Sequence, residues 1–208
     1  LFRLNDTAKT VEKVREKLIK RSRLTPAESG YLECLIIHKH HGIIGIIAAA
    51  DYSALHKRTE LLIGIFEEKH RSISYAVESC ILMGDLIFNA YHLHRCYAYI
   101  YGYNHSAQTA LIGGGFQLEG IMKEHLYDPV SQQYVDLHIY GMNETQMRQN
   151  PKISRLSKRL VGRDITQPLT TPLPPPDESK IPGLGRISPS ENQPYFAKSG
   201  ILKRIHSQ

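Results

Sequence analysis

His38, His40 and His41 stand together in the run His38-Lys39-His40-His41-Gly42. Clustered imidazoles are a familiar start to a metal site, because each neutral ring can offer a nitrogen to a cation. Here, however, the run separates two short apolar stretches, residues 31–37 and 42–50, and no further ligands accompany it. It therefore reads as the exposed polar turn of a β-hairpin, and no metal is expected. The three cysteines, Cys34, Cys80 and Cys96, lie far apart without a C-x-x-C spacing. Buried, reduced thiols are the expectation, which points to a reducing intracellular compartment, the cytoplasm or an organelle interior. Residues 96–103 alternate strictly, with Tyr97, Tyr99, Tyr101 and Tyr103 on one face, so four phenols line one side of a strand.

The elements that position these groups follow from periodicity. Residues 9–23 are highly charged with Val11, Val14 and Leu18 at helical spacing, a surface helix started by Asn5-Asp6-Thr7. Residues 59–66 read as a third strand. Beyond it, Ile73, Val77, Cys80, Gly84, Ile87 and Tyr91 recur at spacings of three and four, the stripe of a helix packed on a sheet. Strand, helix and strand (59–66, about 72–91, 96–103) make a βαβ unit, so its two strands should run parallel. A short helix at 106–112 ends at Gly113-Gly114-Gly115. Runs at 116–125 and 133–142 then form an antiparallel hairpin around Tyr127-Asp128-Pro129-Val130-Ser131.

Composition, at 41% hydrophobic and 22% charged, suits a soluble globular chain. No apolar run approaches the ~20 residues of a membrane helix. The chain begins with Leu and has little room ahead of Lys9, so its amino-terminal edge reads as either truncated or trimmed, with any targeting segment unreadable. Charge divides the chain. Residues 1–144 carry 15 Lys+Arg against 16 Asp+Glu, whereas residues 145–208 carry 11 against 4. The second part includes Pro174-Pro175-Pro176 and is expected to be an extended, basic, Pro-rich tail that seeks an anionic partner such as RNA, or a partner protein.

Three motifs give the first part a family likeness. Arg71-Ser72-Ile73-Ser74-Tyr75-Ala76, followed by Glu78, stands at the strand-to-helix turn. Leu93-His94-Arg95 leads into the next strand, and Asn104-His105-Ser106-Ala107 is followed by Gly115-Phe116. With Thr59-Glu60-Leu61 and Gly64-Ile65-Phe66, these resemble the RimJ/RimL-like branch of the GNAT superfamily of N-acetyltransferases, over residues 9–142. The resemblance implies an α/β (α+β) fold with a mixed central sheet, a splayed parallel strand pair and flanking helices, in a domain spanning residues 1–144.

It also implies acetyl-CoA as cofactor and an amine as acetyl acceptor. The cofactor would lie against Ile65 and Phe66, with its pyrophosphate on Arg71, Ser72, Ile73, Ser74, Tyr75 and Ala76. Free N–H groups and the helix dipole favour an anion there. Asn104 would contact pantetheine, although it equally suits the cap of the short helix. Glu60 is the candidate general base; a glutamate held by a neighbouring Arg or Lys is the other reading. A backbone N–H near Ile65 would polarise the thioester carbonyl.

The sequence departs from the branch at three places. Ser72 and Ser74 replace glycines, and Leu111 stands where relatives carry an acidic tyrosine, leaving Tyr103, or Tyr75, as the substitute. These departures, with the basic tail, support a second expectation: a GNAT-fold subunit of a large assembly, ribosome-like or other, that no longer catalyses.

Overall fold

A computed structural model describes residues 10–71 and 73–169 of the chain, the side chain of Ile73 excepted. The helix α1 (Val11–Ser22) starts at Thr10, whose hydroxyl accepts from the Lys13 N–H at 3.3 Å. Asn5-Asp6-Thr7 lie outside the described residues. None of α1 is buried, and Val11 is 70% exposed. A single-turn helix α2 (Pro26–Ser29) opens with a capping box between Thr25 and Glu28, then turns at Gly30 into the sheet.

Six strands follow: β1 (Leu32–His38), β2 (Gly42–Ser53), β3 (Arg58–Ile65), β4 (Arg95–Tyr101), β5 (Gln117–Asp128) and β6 (Gln133–Asn143). They lie in the order β1-β2-β3-β4-β6-β5. Every neighbouring pair is antiparallel except β3 and β4. That exception is the βαβ crossover, made by α3 (Ile73–Asp85) and a wider turn at Leu86–Ala90. In this turn the Tyr91 N–H reaches back to the Leu86 carbonyl at 2.8 Å, an i to i+5 bond that spreads the helix end. α4 (His105–Gly113) joins β4 to β5.

One face of the sheet carries the core. Leu32, Cys34, Ile36, Ile47, Ala49, Leu61 and Cys96 meet Ile81, Met83, Ile87 and Phe88 of the crossover. On β3, Thr59 and Leu61 are buried there, while Glu60 and Leu62, by the alternation of a strand, turn to the other face. Phe116 is buried directly after Gly115, whose φ of +97° a side chain would strain, as the Gly-Phe turn requires.

The chain after Asn143 differs from the extended tail expected to begin at 145. Residues 144–148 form α5 (Glu144–Arg148) and residues 151–161 form α6 (Pro151–Val161). Met147, Ile153 and Ile165 are buried in the common core. Asn150 caps α6, accepting from the Lys152 and Ile153 N–H groups at 2.9 and 3.2 Å. Arg148 then binds this arm to the crossover: it donates to Asn89 Oδ1 at 2.6 Å and to the Ile165 carbonyl at 3.3 Å. Arg163 pairs with Asp85. Six of the eleven basic residues after position 144 therefore belong to this helical arm. The hydrophobic period of residues 151–161 carries the signal, and the charge excess alone obscures it. The Pro-rich residues 170–208, on which the expected RNA or protein contacts fall, lie outside the described residues. Among the described residues no helix is long and apolar enough to cross a membrane.

Candidate functional site

β3 and β4 pair over only three residues, Arg58 with Arg95, Thr59 with Cys96 and Glu60 with Tyr97. Beyond these the strands separate, because each stays bound to its outer neighbour: β3 to β2 as far as Ile65 with Gly45, and β4 to β6 as far as Tyr101 with Leu137. The result is a V whose inner edges lack strand partners. The direction of those edges can be read from one bond. The Phe66 N–H donates to the Ile44 carbonyl of β2 at 3.0 Å. Since N–H groups alternate along a strand, Ile63 and Ile65 turn theirs toward the open side. Phe66 thus has no N–H to offer there, and only its half-exposed ring remains available.

Glu60 sits at the apex, the last paired position. It makes no hydrogen bond or ion pair with any described residue, so it is not the strand glutamate held by Arg or Lys. Burial, then the nearby Asp51 carboxylate, pushes its pKa above the ordinary value. On the same face, Tyr97 donates its hydroxyl proton to Asp51, while Arg58 donates to Asp51 at 2.5 Å and to the Tyr97 oxygen at 2.9 Å. Burial first, and Asp51 next, raise the Tyr97 phenol, which keeps its proton. Asp51, Arg58 and Tyr97 were not legible as site residues. A usable signal was present: Asp51 ends the apolar run of β2, and a hairpin turn sets it across from residues 58–60.

At the open end of the V, Arg71 is exposed just before α3, and Ser74, Tyr75 and Ala76 lie in its first turn. Ser72 lies outside the described residues, and Ile73 is placed by its backbone alone. Glu78 is buried within α3. The histidine turn is here too: His40 and His41 are exposed, as expected, whereas His38 is not. His38 is 3% exposed at the end of β1, with His41 stacked on it at 4.5 Å between ring centroids. His70, 8% exposed, lies 5.0 Å from His41, and Tyr75 of α3 reaches His38 Nε2 at 3.3 Å. The β1–β2 turn, His70 and the start of α3 thus converge. Burial first, then His41, His40, His70 and Lys39, lowers the His38 pKa. Among the described residues no three His, Cys, Asp or Glu are placed to hold a metal ion.

Asn104 caps α4, its Oδ1 accepting from the Ala107 N–H at 3.2 Å. Its Nδ2 protons have no partner among the described residues, so cap and donor are compatible roles. Leu111 packs against the core where relatives place an acid. Tyr103 is the candidate substitute for that acid. It stacks on Tyr101 at 5.5 Å, six residues beyond Tyr97. It lies two residues past the end of β4, in the turn that follows. An open hollow of about 570 Å³ lies beside Tyr103, bordered by Glu124, Asp136 and His138, and Glu60 does not line it. Burial pushes the Cys34 and Cys80 thiols up to about 12 and raises the Cys96 thiol likewise, which disfavours their thiolates.

The comparisons agree with this geometry. A family model described as acetyltransferase (GNAT) domain matches residues 3–117. Among solved structures, the dodecameric spermidine N-acetyltransferase from Vibrio cholerae superposes with a TM-score of 0.60 at 17% identity, covering 70% of this chain and 81% of that one. The spermidine/spermine N-acetyltransferase SpeG of the same organism, in complex with manganese ions, gives 0.60 at 17%, covering 71% and 88%. At such identity these show the shared fold. No curated protein sequence matches.

Proposed function

Because the chain belongs to the GNAT acetyltransferase domain family, we propose that it transfers the acetyl group of acetyl-CoA to an amine by direct attack. The observation that carries this reading is the parting of β3 from β4 immediately beyond Glu60. It leaves a slot edged by free backbone N–H groups with a partnerless carboxylate at its apex.

The residues fit the cofactor. Ile63 and Ile65 turn N–H groups into the slot, and Phe66 and Asn104 offer an exposed ring and a free amide. The first-turn N–H groups of α3 have no helical acceptors and suit the pyrophosphate, with the exposed Arg71 beside them. Ser72 joins this loop by sequence. Serine at 72 and 74 retains the N–H groups that glycine would supply. Acetyl-CoA, when bound, supplies the acetyl group as a thioester whose thiolate departs without strong acid help.

Glu60 takes the proton from the incoming ammonium at a carboxylate oxygen. Its raised pKa makes it a better base than an ordinary surface carboxylate. Asp51 is already paired with Arg58, so the charge that favours a cationic amine is that of Glu60 itself. The Tyr97 proton stays with Asp51, so no phenol of the apex is assigned as acid. The motifs around Leu93-His94-Arg95 and Asn104 favour the RimJ/RimL-like branch. The Vibrio cholerae relatives make a polyamine the first substrate to test.

The test is turnover with acetyl-CoA and a panel containing spermidine, spermine and a peptide with a free N-terminus. We expect amine-dependent release of free thiol and a product one acetyl group heavier. No thiol release with any amine, together with no melting shift at millimolar acetyl-CoA, would reject the reading.

A further inference from the structure

Two arginines stand close to Glu60 at the apex, and neither pairs with it. Arg58 comes two residues earlier on β3, where alternation puts both side chains on one face, about 6.6 Å apart along the strand. An arginine side chain spans that interval. Arg95 opens β4 opposite Arg58, in the register that sets Tyr97 beside Glu60. A carboxylate drawn partly out of water is ordinarily paired with such a cation. Each guanidinium is instead held by another carboxylate, Arg95 by Glu119 of β5 at 2.8 Å and Arg58 by Asp51 at 2.5 Å.

The capture of Arg58 is built into the backbone. The register of β2 on β3 breaks between Ala50 and Ser53, and within the break Asp51 takes a φ of +44°. This is the left-handed region, which aspartate enters more readily than most residues. A break of this kind re-aims a side chain. From β2 the Asp51 carboxylate meets the Tyr97 hydroxyl of β4, although β3 lies between those two strands. The bond therefore passes over β3, on the face that carries Arg58 and Glu60. Arg58 donates to the Tyr97 oxygen as well, at 2.9 Å, so its guanidinium is caught between the two. Tyr97 is itself buried, which fixes that end of the bridge.

We propose that Asp51 is a positioning residue for the reaction: with Tyr97 it holds Arg58 away from Glu60 and so keeps the base unpaired. The inference rests on the reading of Glu60 as the general base of acetyl transfer. The charged and titratable groups that face Glu60 are Arg58 on β3, Asp51 on β2, and Tyr97 and Arg95 on β4, with Glu119 of β5 closing the Arg95 pair. Glu60 is the one carboxylate of β3, so a released Arg58 finds it on its own strand face. A guanidinium bound there would favour the ionised form and occupy the oxygens that must take the ammonium proton.

The test is the pH dependence of acetyl transfer to the best amine of the panel above, with carbon-13 titration of the Glu60 carboxyl. Both are measured in wild type, Asp51→Asn, Arg58→Gln and the double variant. Asparagine tolerates the same backbone region and keeps an oxygen for the Tyr97 hydroxyl, but has no charge to hold Arg58. At neutral pH Asp51→Asn should transfer acetyl about tenfold more slowly, the scale of one hydrogen bond between charged groups that must first break. Its Glu60 titration and the acidic limb of kcat/KM should both move toward acid. Arg58→Gln added to Asp51→Asn should recover most of the lost rate and move the titration back up. That upward movement should exceed the one Arg58→Gln causes in the wild-type background, where Asp51 already holds the guanidinium. Tyr97→Phe, which removes the other partner of Arg58 without a change in β2, should move Glu60 in the same direction as Asp51→Asn. A purely structural role for Asp51 predicts a double variant at least as impaired as Asp51→Asn. That result, an unmoved Glu60 titration in Asp51→Asn, or equal effects of Arg58→Gln in both backgrounds would each overturn the inference while leaving wild-type transfer intact. Wild-type protein that transfers acetyl to no amine would overturn it together with the reading on which it rests.

Discussion

Glu60→Gln lowers the rate of acetyl transfer by ~10²–10⁴-fold, the usual worth of general base help, without lowering stability at neutral pH. Both halves follow from the same carboxylate. It stands at the apex with no protein cation to neutralise it, and burial and Asp51 raise its pKa. A carboxyl whose folded pKa lies above its unfolded value adds stability that is complete below the unfolded pKa. That stability is lost as pH rises through the folded one. At neutral pH the wild type therefore holds an ionised group that the fold disfavours, and glutamine relieves it. Thermal melting should show the variant equal to or above wild type at pH 7. The pH profile gives a second readout. Wild-type kcat/KM should fall toward acid through a pKa above the ordinary carboxylate range, and that limb should vanish in Glu60→Gln. Loss of activity with a lower melting temperature would instead make Glu60 a structural residue.

The second large effect concerns the strand that carries the slot. A Cβ built on Gly45 would lie 2.4 Å from the Gly64 carbonyl oxygen and 3.2 Å from the Ile65 Cα. Both are backbone atoms, so β3 itself must move, since no flexible side chain can give way. Gly45→Ala should destabilise the fold by about 3 kcal/mol, the upper part of the usual overpacking range, measured by urea unfolding. Because the displaced segment is Gly64–Ile65, where the N–H groups enter the slot, the folded variant should also bind acetyl-CoA more weakly. Substituting Gly84, whose Cβ would meet nothing within 4 Å, serves as the control. Unchanged stability of Gly45→Ala would show that the β2–β3 contact is looser than described.

Much of the fold was legible because its signals are local. The period of residues 73–91 announced the crossover helix, and the alternation of residues 96–103 announced its partner strand. Together they required the parallel pair. Strands that part on one side while bound on the other follow from pairings that no local pattern records, although the motif likeness anticipated them. Glu60 was found through that likeness, while Asp51, Arg58 and Tyr97 escaped because they meet only when β2, β3 and β4 align. The histidine run was legible in part: His40 and His41 are exposed as its polarity suggested, whereas His38 is buried by contacts that include Tyr75, 37 residues away. The reading of residues 145–208 as one extended tail failed where charge was weighed above period. On α6 the basic side chains project outward, while Ile153 packs inward. The assembly-subunit expectation drew on that tail, and half of its basic charge now belongs to the folded arm.

The central claim is that acetyl-CoA lies between β3 and β4 with its phosphates on α3. Backbone amide hydrogen exchange with and without acetyl-CoA tests it at the atoms concerned. Protection should rise at Ile63 and Ile65 and at the first turn of α3, Ser74 to Ala76, while Leu62 and Gly64, already bound to β2, change little. Unaltered exchange at Ile63 and Ile65 under saturating acetyl-CoA, or protection confined to the hollow beside Tyr103, would contradict it.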